Sequence, residues 1–492
     1  MTGLVGNFPV CGEDGLVVKK FDDKPIPPKS PIVVKVFDAM MGSGKTETII
    51  RDMGVRFNKD GSKFLYITPL IDECHRIAGT YYDEDDELKR PVVVSSEDNG
   101  EGVELDLYDY NKDHPLSSMF FKHPDYKGGN KADNLKNLIK YQHNIVSTHQ
   151  LFKQLTPDLL KQAGDYVLVI DEALQVYDVF GDISEKELKA LIKYEVLYVD
   201  VDELTLRFDR TKFGNYSNFE DDDGDFDNTH YGSLANLCDL GQLLYVNGKV
   251  LVWELSLETL MSFKEVWVAT YLFEGSQMAT YFKGHGVEYE LIQFGKSPQD
   301  IRHLINIYGY EDDMSASDIE KNASSGLNAV GYKNTSLSSS AISRDKEEVC
   351  NQLRKNLLNF FINKTNSKKD DRLWTSLKSL IKPVGDKRYQ SDWLAFNTKA
   401  TNDYGNVHNL AYLMNLYAQP FIVHASQKKG YPIDQDIYAL SEMIQWIWRS
   451  AIRNGEEINL YIPSSRMRNL LVQWLNGGFV ASIPHTEIKT VV

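Results

Sequence analysis

One octapeptide constrains this chain more than any other feature: Ala39-Met-Met-Gly-Ser-Gly-Lys-Thr46. An apolar, β-branched run, Ile32-Val-Val-Lys-Val-Phe37, leads into it, and Glu47 to Phe57 carry helical character after it. A strand, a glycine-rich turn ending in Lys-Thr and a helix are the parts of a phosphate-binding loop. Glycines let backbone N–H groups approach phosphate oxygens, and the lysine neutralises them. The threonine hydroxyl ligates Mg²⁺, and the helix turns its positive end to the anion. Met41, Gly42, Ser43, Gly44, Lys45 and Thr46 would fill those roles here, with Ala39 at the first glycine position.

The same chemistry needs acids further along, and Val169-Ile-Asp-Glu-Ala-Leu174 supplies them. An apolar strand would deliver Asp171 to the metal and Glu172 to the attacking water, which Glu172 positions or deprotonates. Alone, an Asp-Glu pair after a strand serves equally well as a helix cap. Following a phosphate loop, in this order, it points to a nucleoside triphosphate, ATP or another, with Mg²⁺.

The rest of the chain has room for more than one such lobe, since 492 residues allow about three units at roughly 150 residues each. Phe64–Ile67, Asn144–Ser147, Tyr166–Ile170 and Val266–Ala269 read as further strands separated by longer helical stretches. That alternation predicts an α/β fold, a parallel β-sheet covered by helices. Residues 1–30, ending in Pro25-Ile-Pro-Pro28, read as an N-terminal extension, and residues 31–285 as a first lobe. The stretch from 181 to 262 is too long for one connection and is expected to be an inserted subdomain outside the sheet. Residues 286–492 form a second lobe. It would open on a Ser-, Asn- and Gly-rich loop, Ser315–Ser340, followed by a helix at Asp345–Phe361. Strands at Trp393–Phe396 and Ile458–Ile462 and helices at Leu440–Ile452 and Arg466–Leu475 complete it.

Composition narrows the class. Hydrophobic content of 42% and charged content of 25% are those of an ordinary globular protein. No apolar run approaches the ~20 residues of a membrane helix, so no membrane partner is expected. Met1–Val10 lacks a basic segment ahead of an apolar stretch, and four scattered cysteines form no metal pair. Both point to a reducing cytoplasm, that of the host cell if a phage encodes the chain. The net charge of -16 weighs mildly against nucleic acid. Much of the acid, however, sits in two runs, Asp83–Glu87 and Glu220–Asp227, read most simply as solvated loops. Trp374, Trp393, Trp446, Trp448 and Trp474 could stack bases, but core or interface packing is the commoner use.

With these motifs in place, the chain resembles the superfamily 2 helicases of the DEAD/DEAH type, and among them the DEAD/DEAH-like helicases of bacteriophages. Asp171-Glu172-Ala173-Leu174 stands where that family carries its acidic box, and residues 39–46 take the family's form of the phosphate loop. Tyr66-Ile-Thr-Pro-Leu70, Val146-Ser-Thr-His149 and Val268-Ala-Thr270 resemble its strand-end segments. Gln445-Trp-Ile-Trp-Arg-Ser-Ala-Ile-Arg453 resembles its final Gln…Arg…Arg segment, with the second arginine one position late. Ala400–Tyr404, Leu410–Tyr412 and Tyr461–Arg468 resemble the phage members' second lobes.

The resemblance implies two RecA-like lobes clamping one nucleotide and single-stranded or tailed duplex DNA, with RNA not excluded. Thr68, Pro69, Ser147, Thr148, Thr401 and Asn402 would then hold the strand, and Thr270 would couple the metal site to the second lobe. Gln445, Arg449 and Arg453, four residues apart, would share one helix face toward the γ-phosphate, with Arg449 favoured for the nucleotide and Arg453 left as arginine finger or lobe–lobe contact. The function so implied is an ATP-dependent translocase or helicase in phage DNA replication or repair. A terminase-like packaging ATPase and a nucleotide-dependent switch are the rivals. The insertion is expected to regulate access or to bind a replication protein, and its deletion to leave basal ATPase intact.

Overall fold

The computed structural model describes residues 33–78, 119–124, 130–155, 159–200, 202, 204–214, 230–311, 316–398 and 404–479, with the two-residue strands at 10–11, 17–18, 81–82 and 88–89. Six parallel strands build the first lobe's sheet. Their spatial order is Glu290–Phe294, Val33–Ala39, Glu265–Thr270, Tyr166–Asp171, Lys63–Thr68, Ile145–Thr148. Helices on both faces explain why the central strands are continuously apolar rather than alternating; Val167 to Ile170 are wholly buried. The register sets Thr270 beside Asp38 and Ala269 beside Asp171, so the carboxyl ends of three neighbouring strands finish level. In such sheets the crevice beyond those ends is where ligands sit.

The five strands expected from sequence are all present, with ends moved by one or two residues. The sixth, Glu290–Phe294, lies at the sheet's edge with part-exposed side chains, so its sequence shows no buried run. It carries the first lobe's sheet past residue 285, where the sequence suggested the lobe would end.

The second lobe is a four-stranded parallel sheet in the order Ile305–Ile307, Ile458–Tyr461, Asn409–Tyr412, Arg372–Thr375. Both lobes are thus parallel α/β layers of the RecA-like kind. Trp393–Phe396 is not a strand: Trp393 makes one isolated bridge to Trp374. Ser315–Ser340 is not an open linker either. It folds into a helix at Ala316–Ala323, a 3₁₀ turn at Gly326–Gly331 and the start of a helix at Ser339–Arg344. Leu327 and Leu337 anchor it in the second lobe's core.

The expected helix at Leu440–Ile452 runs instead from Gln435 to Ile447. It starts early because the Asp434 carboxylate accepts the N–H groups of Asp436 and Ile437, each at 2.9 Å. It stops early because Ser450 is extended, after which Ala451–Asn454 form a separate 3₁₀ turn. Gln445, Arg449 and Arg453 therefore do not share a helix face.

The inserted region is antiparallel and lies outside the parallel sheet. Tyr177–Val179, Leu243–Val246 and Val250–Glu254 form one sheet, and Leu197–Val199 pairs with Leu206–Phe208 and with Val18 of the N-terminal extension. Leu188, Leu191, Leu197, Phe208 and Leu234 make a small core of its own. It is not a detachable module, however. Leu244, Val246, Val252 and Leu255 belong to the first lobe's core, so clean deletion would strip one wall from that core. Phe421, Ile422, Ala425 and Ile433, on and after the helix Pro420–Lys428 of the second half, belong to the same core.

Candidate nucleotide site

The phosphate loop begins where Val33–Ala39 leaves the sheet. Gly42 and Gly44 take φ of +74° and +75°, a left-handed backbone that side-chain-bearing residues rarely adopt. That conformation turns the Ser43 N–H back to the Met40 carbonyl at 3.1 Å and starts the helix Lys45–Asp60 from Gly44. Lys45 Nζ donates to the Ala39 carbonyl at 2.6 Å, folded onto its own loop. Burial lowers the Lys45 pKa, against the charges of Glu172, Asp171 and Asp38.

Asp171 ends its strand at the floor of the crevice. Burial and then the Glu172 charge push its pKa up to about 7, while a hydrogen bond from the Tyr66 hydroxyl works the other way. Glu172 has φ of +64° and donates its N–H to the Ala269 carbonyl at 2.8 Å. A left-handed glutamate is a strained backbone, a feature that collects at functional sites.

Thr270, 2% exposed, ends the strand between those two. The segment after it meets the second lobe directly. Ser441 Oγ donates to the Tyr271 carbonyl at 3.2 Å, and Trp474 Nε1 donates to the Tyr271 hydroxyl at 2.7 Å. Behind it the buried Asp38 carboxylate accepts the Leu272 N–H at 2.7 Å and the Phe273 N–H at 3.3 Å. Burial pushes the Asp38 pKa up to about 6 despite those donors.

From the second lobe, Gln445 is spent within its helix, donating to Ser441 Oγ at 3.2 Å. Arg449, 7% exposed, follows the helix end. Burial lowers its pKa, and Glu172 is the foremost charge opposing that shift. Arg449 of the second lobe is thus close enough to Glu172 of the first for the two charges to act on each other. Arg453 is exposed, on the 3₁₀ turn Ala451–Asn454 that buries Ala451 and Ile452. Its divergence from Arg449 follows from the helix ending at Ile447.

The sequence-predicted strand-gripping residues sit differently. Thr68 and Ser147 are buried, and their hydroxyls meet no partner among the described residues. Thr148 caps the helix His149–Phe152 by accepting the Leu151 N–H at 3.2 Å. Pro69 is half-buried, and Thr401 and Asn402 lie outside the described residues.

Several contributors escaped the sequence reading. Tyr66 and the ion pair of Glu73 with Arg76 surround Asp171. Tyr66 could have been found, since alternation along its strand puts it on the same face as Thr68. Gly295, with φ of +89°, closes on Ser43 so tightly that a β-carbon would collide with it. Trp448 lies over the phosphate loop.

The residues present fit a nucleotide. Ser43 Oγ and Arg449 Nε are buried polar atoms without a partner among the described residues, and both lie at the crevice. Thr46 and Asp171 supply hard oxygen ligands of the kind Mg²⁺ takes.

Among the described residues, no helix is long and apolar enough to cross a membrane. Residues 299–475 match the family described as the YonV C-terminal Rossmann-like domain. The chain is 33% identical over 462 residues to the SPbeta prophage-derived protein YonV of Bacillus subtilis (strain 168), covering 90% of this chain and 98% of that protein. Among solved structures it overlays loosely on the DUF1998 helicase MrfA bound to DNA and AMPPNP, at 9% identity and a TM-score of 0.32. That overlay covers 90% of this chain and spans about half, 48%, of the MrfA chain. A second overlay is on the Pyrococcus furiosus Hef helicase domain, at 11% identity and a TM-score of 0.28, covering 88% of this chain and 92% of that one. By its identity and coverage along nearly its whole length, the chain belongs to the family of YonV.

Proposed function

We propose that the chain is an Mg²⁺-dependent ATPase that moves along nucleic acid as a superfamily 2 translocase or helicase, in phage DNA replication or repair. The observation that carries this reading is Arg449 of the second lobe, buried and within electrostatic reach of Glu172 of the first. A site completed by both lobes makes hydrolysis depend on their closure. The prophage origin of the YonV relative supports the phage setting.

In this reading the amides of Gly42 to Thr46 and the Lys45 ammonium bind the phosphate chain, with Lys45 exchanging the Ala39 carbonyl for a phosphate oxygen. Thr46 and Asp171 would hold Mg²⁺, which polarises phosphate oxygens when bound. Glu172 orients a water and takes its proton. Arg449 stabilises the charge that develops on the transferred phosphoryl group. Thr270 and Tyr271 report the state of the metal site to Ser441 and Trp474 of the second lobe. Pro69 and Thr148 remain candidates for strand contact at the neighbouring strand ends.

Steady-state ATP hydrolysis with and without single-stranded DNA tests the proposal. Stimulation by the strand is expected, with turnover lost in Glu172→Gln while nucleotide still binds. Turnover near wild type in Glu172→Gln would falsify the assignment. A nuclease assay and strand displacement on tailed duplexes separate a packaging motor from a helicase.

A further inference from the structure

Trp448 is the residue at the crevice that the mechanism above leaves unused. It caps the C-terminus of the helix Gln435–Ile447 and is 9% exposed. It packs in the second lobe's core, yet Met40 of the phosphate loop belongs to that same cluster. The ring therefore bridges the cleft. A β-carbon built at Gly42 would lie 3.7 Å from Trp448 Nε1, its nearest neighbour. The indole edge that carries the N–H is thus the edge turned to the loop. That nitrogen has no hydrogen-bond partner among the described residues.

A buried donor left unpaired is costly, and an indole has no other polar atom to compensate. A purely hydrophobic plug would be better served by phenylalanine. Trp448 Nε1 is not alone: Ser43 Oγ and Arg449 Nε, from opposite sides of the same crevice, are also buried and without partners. Ser43 belongs to the phosphate loop and Arg449 follows Trp448 in sequence, so one acceptor-rich ligand on that loop would answer unpartnered donors from both lobes. Trp446 Nε1 is unpartnered too, but its ring packs on Tyr412 inside the second lobe and cannot share that ligand.

We propose that Trp448 contacts the nucleotide, donating its indole N–H to an oxygen of the terminal phosphate held above Gly42. This rests on the nucleotide site proposed above and adds to it a neutral donor from the second lobe. Trp448 then distinguishes a nucleoside triphosphate from a diphosphate. It does so without reading the base, because its contact is to the phosphate chain. The donor and the Arg449 guanidinium, adjacent in sequence, engage together when the lobes close.

The test uses the full chain labelled with ¹⁵N-tryptophan, which gives one indole signal for each of seven tryptophans. The Trp448 signal is assigned by its absence in Trp448→Phe or Trp448→Tyr. It should shift when adenylyl imidodiphosphate with Mg²⁺ is added, and stay in place with ADP. By calorimetry, Trp448→Phe should bind the analogue roughly tenfold more weakly and ADP within twofold of wild type. An indole signal that ignores a bound analogue, or one that moves equally with ADP, overturns the terminal-phosphate contact while leaving the nucleotide site intact. Equal affinity of Trp448→Phe and wild type for the analogue does the same. A wild-type chain that binds neither nucleotide overturns the site itself, and Trp448's part with it.

Discussion

Gly295 shows how much a single position can hold. With φ of +89° and Ser43 pressed against its missing side chain, it fixes the phosphate loop from the edge strand. Gly295→Ala should cost about 1–3 kcal/mol in backbone strain and shift Ser43. Weaker nucleotide binding by calorimetry, in a chain that keeps its circular dichroism spectrum, is the expected result. Asp171 gives a prediction of a different kind. Its pKa rises from an unfolded value near 3.8 to about 7. Between those values the folded chain holds a proton that the unfolded chain has released. Its contribution is therefore complete below pH 4 and is lost as pH rises to about 7, at up to about 1.4 kcal/mol per pH unit. Asp38, with its pKa pushed up to about 6, adds in the same direction. Asp171→Asn should be more stable than wild type at pH 8 in the absence of nucleotide. Equal melting temperatures at pH 8 would count against the buried acid. Lys45, Asp171 and Glu172 were legible because their chemistry dictates residue type and spacing. Gly295 was not, since it acts by touching Ser43, far away in sequence.

At the scale of elements, the end of one helix decides which arginine can act. Regular four-residue spacing suggested that Gln445, Arg449 and Arg453 would project together. The extended Ser450 breaks that pattern, leaving Arg449 in the cleft and Arg453 on an outer turn. Arg449→Ala should lower DNA-stimulated turnover by about 10³-fold with nucleotide binding retained. Arg453→Ala should stay within a few-fold, and comparable losses in both would place Arg453 in the cleft after all. The first lobe's strands were readable because burial on both faces leaves long apolar runs. In the second lobe, Ile305–Ile307, Arg372–Thr375 and Asn409–Tyr412 span only three or four residues. Runs so short carry too little periodicity to stand out. Trp393 misled for the opposite reason, as a large apolar residue whose single bridge to Trp374 extends into no strand. Ser315–Ser340 misled by composition, because two buried leucines suffice to fold a polar stretch onto a core.

Across the whole molecule, the two halves of the chain are interleaved rather than hinged at one cleft. The helix Pro420–Lys428 lies in the first lobe's core, and Lys429 at its end pairs with Glu254 of the insertion. Glu254 is 4% exposed and also meets His285 at 3.1 Å. Burial works to raise its pKa, but His285 and Lys429 prevail and hold it below the usual carboxylate value. Removing one partner strands a buried charge, so Lys429→Met should destabilise the chain by about 3 kcal/mol in urea unfolding. Adding Glu254→Gln should recover part of that loss; a double variant no better than the single would show that packing, not charge, was at stake. Nothing in the local sequence around Pro420 announces this docking, since the partner surface is assembled from Leu243–Val246 and Gln277–Gly284.

That docking also sets a timetable for synthesis. The first lobe's core closes only when Phe421, Ile422 and Ala425 arrive, long after Phe282, its last buried residue from the first half. At about 5–20 residues per second, the intervening ~140 residues take a ribosome roughly 7–30 s. Throughout that interval the nascent first half exposes an apolar socket to the cell. Early release or a stalled message should therefore yield fragments that aggregate, however complete their nucleotide site.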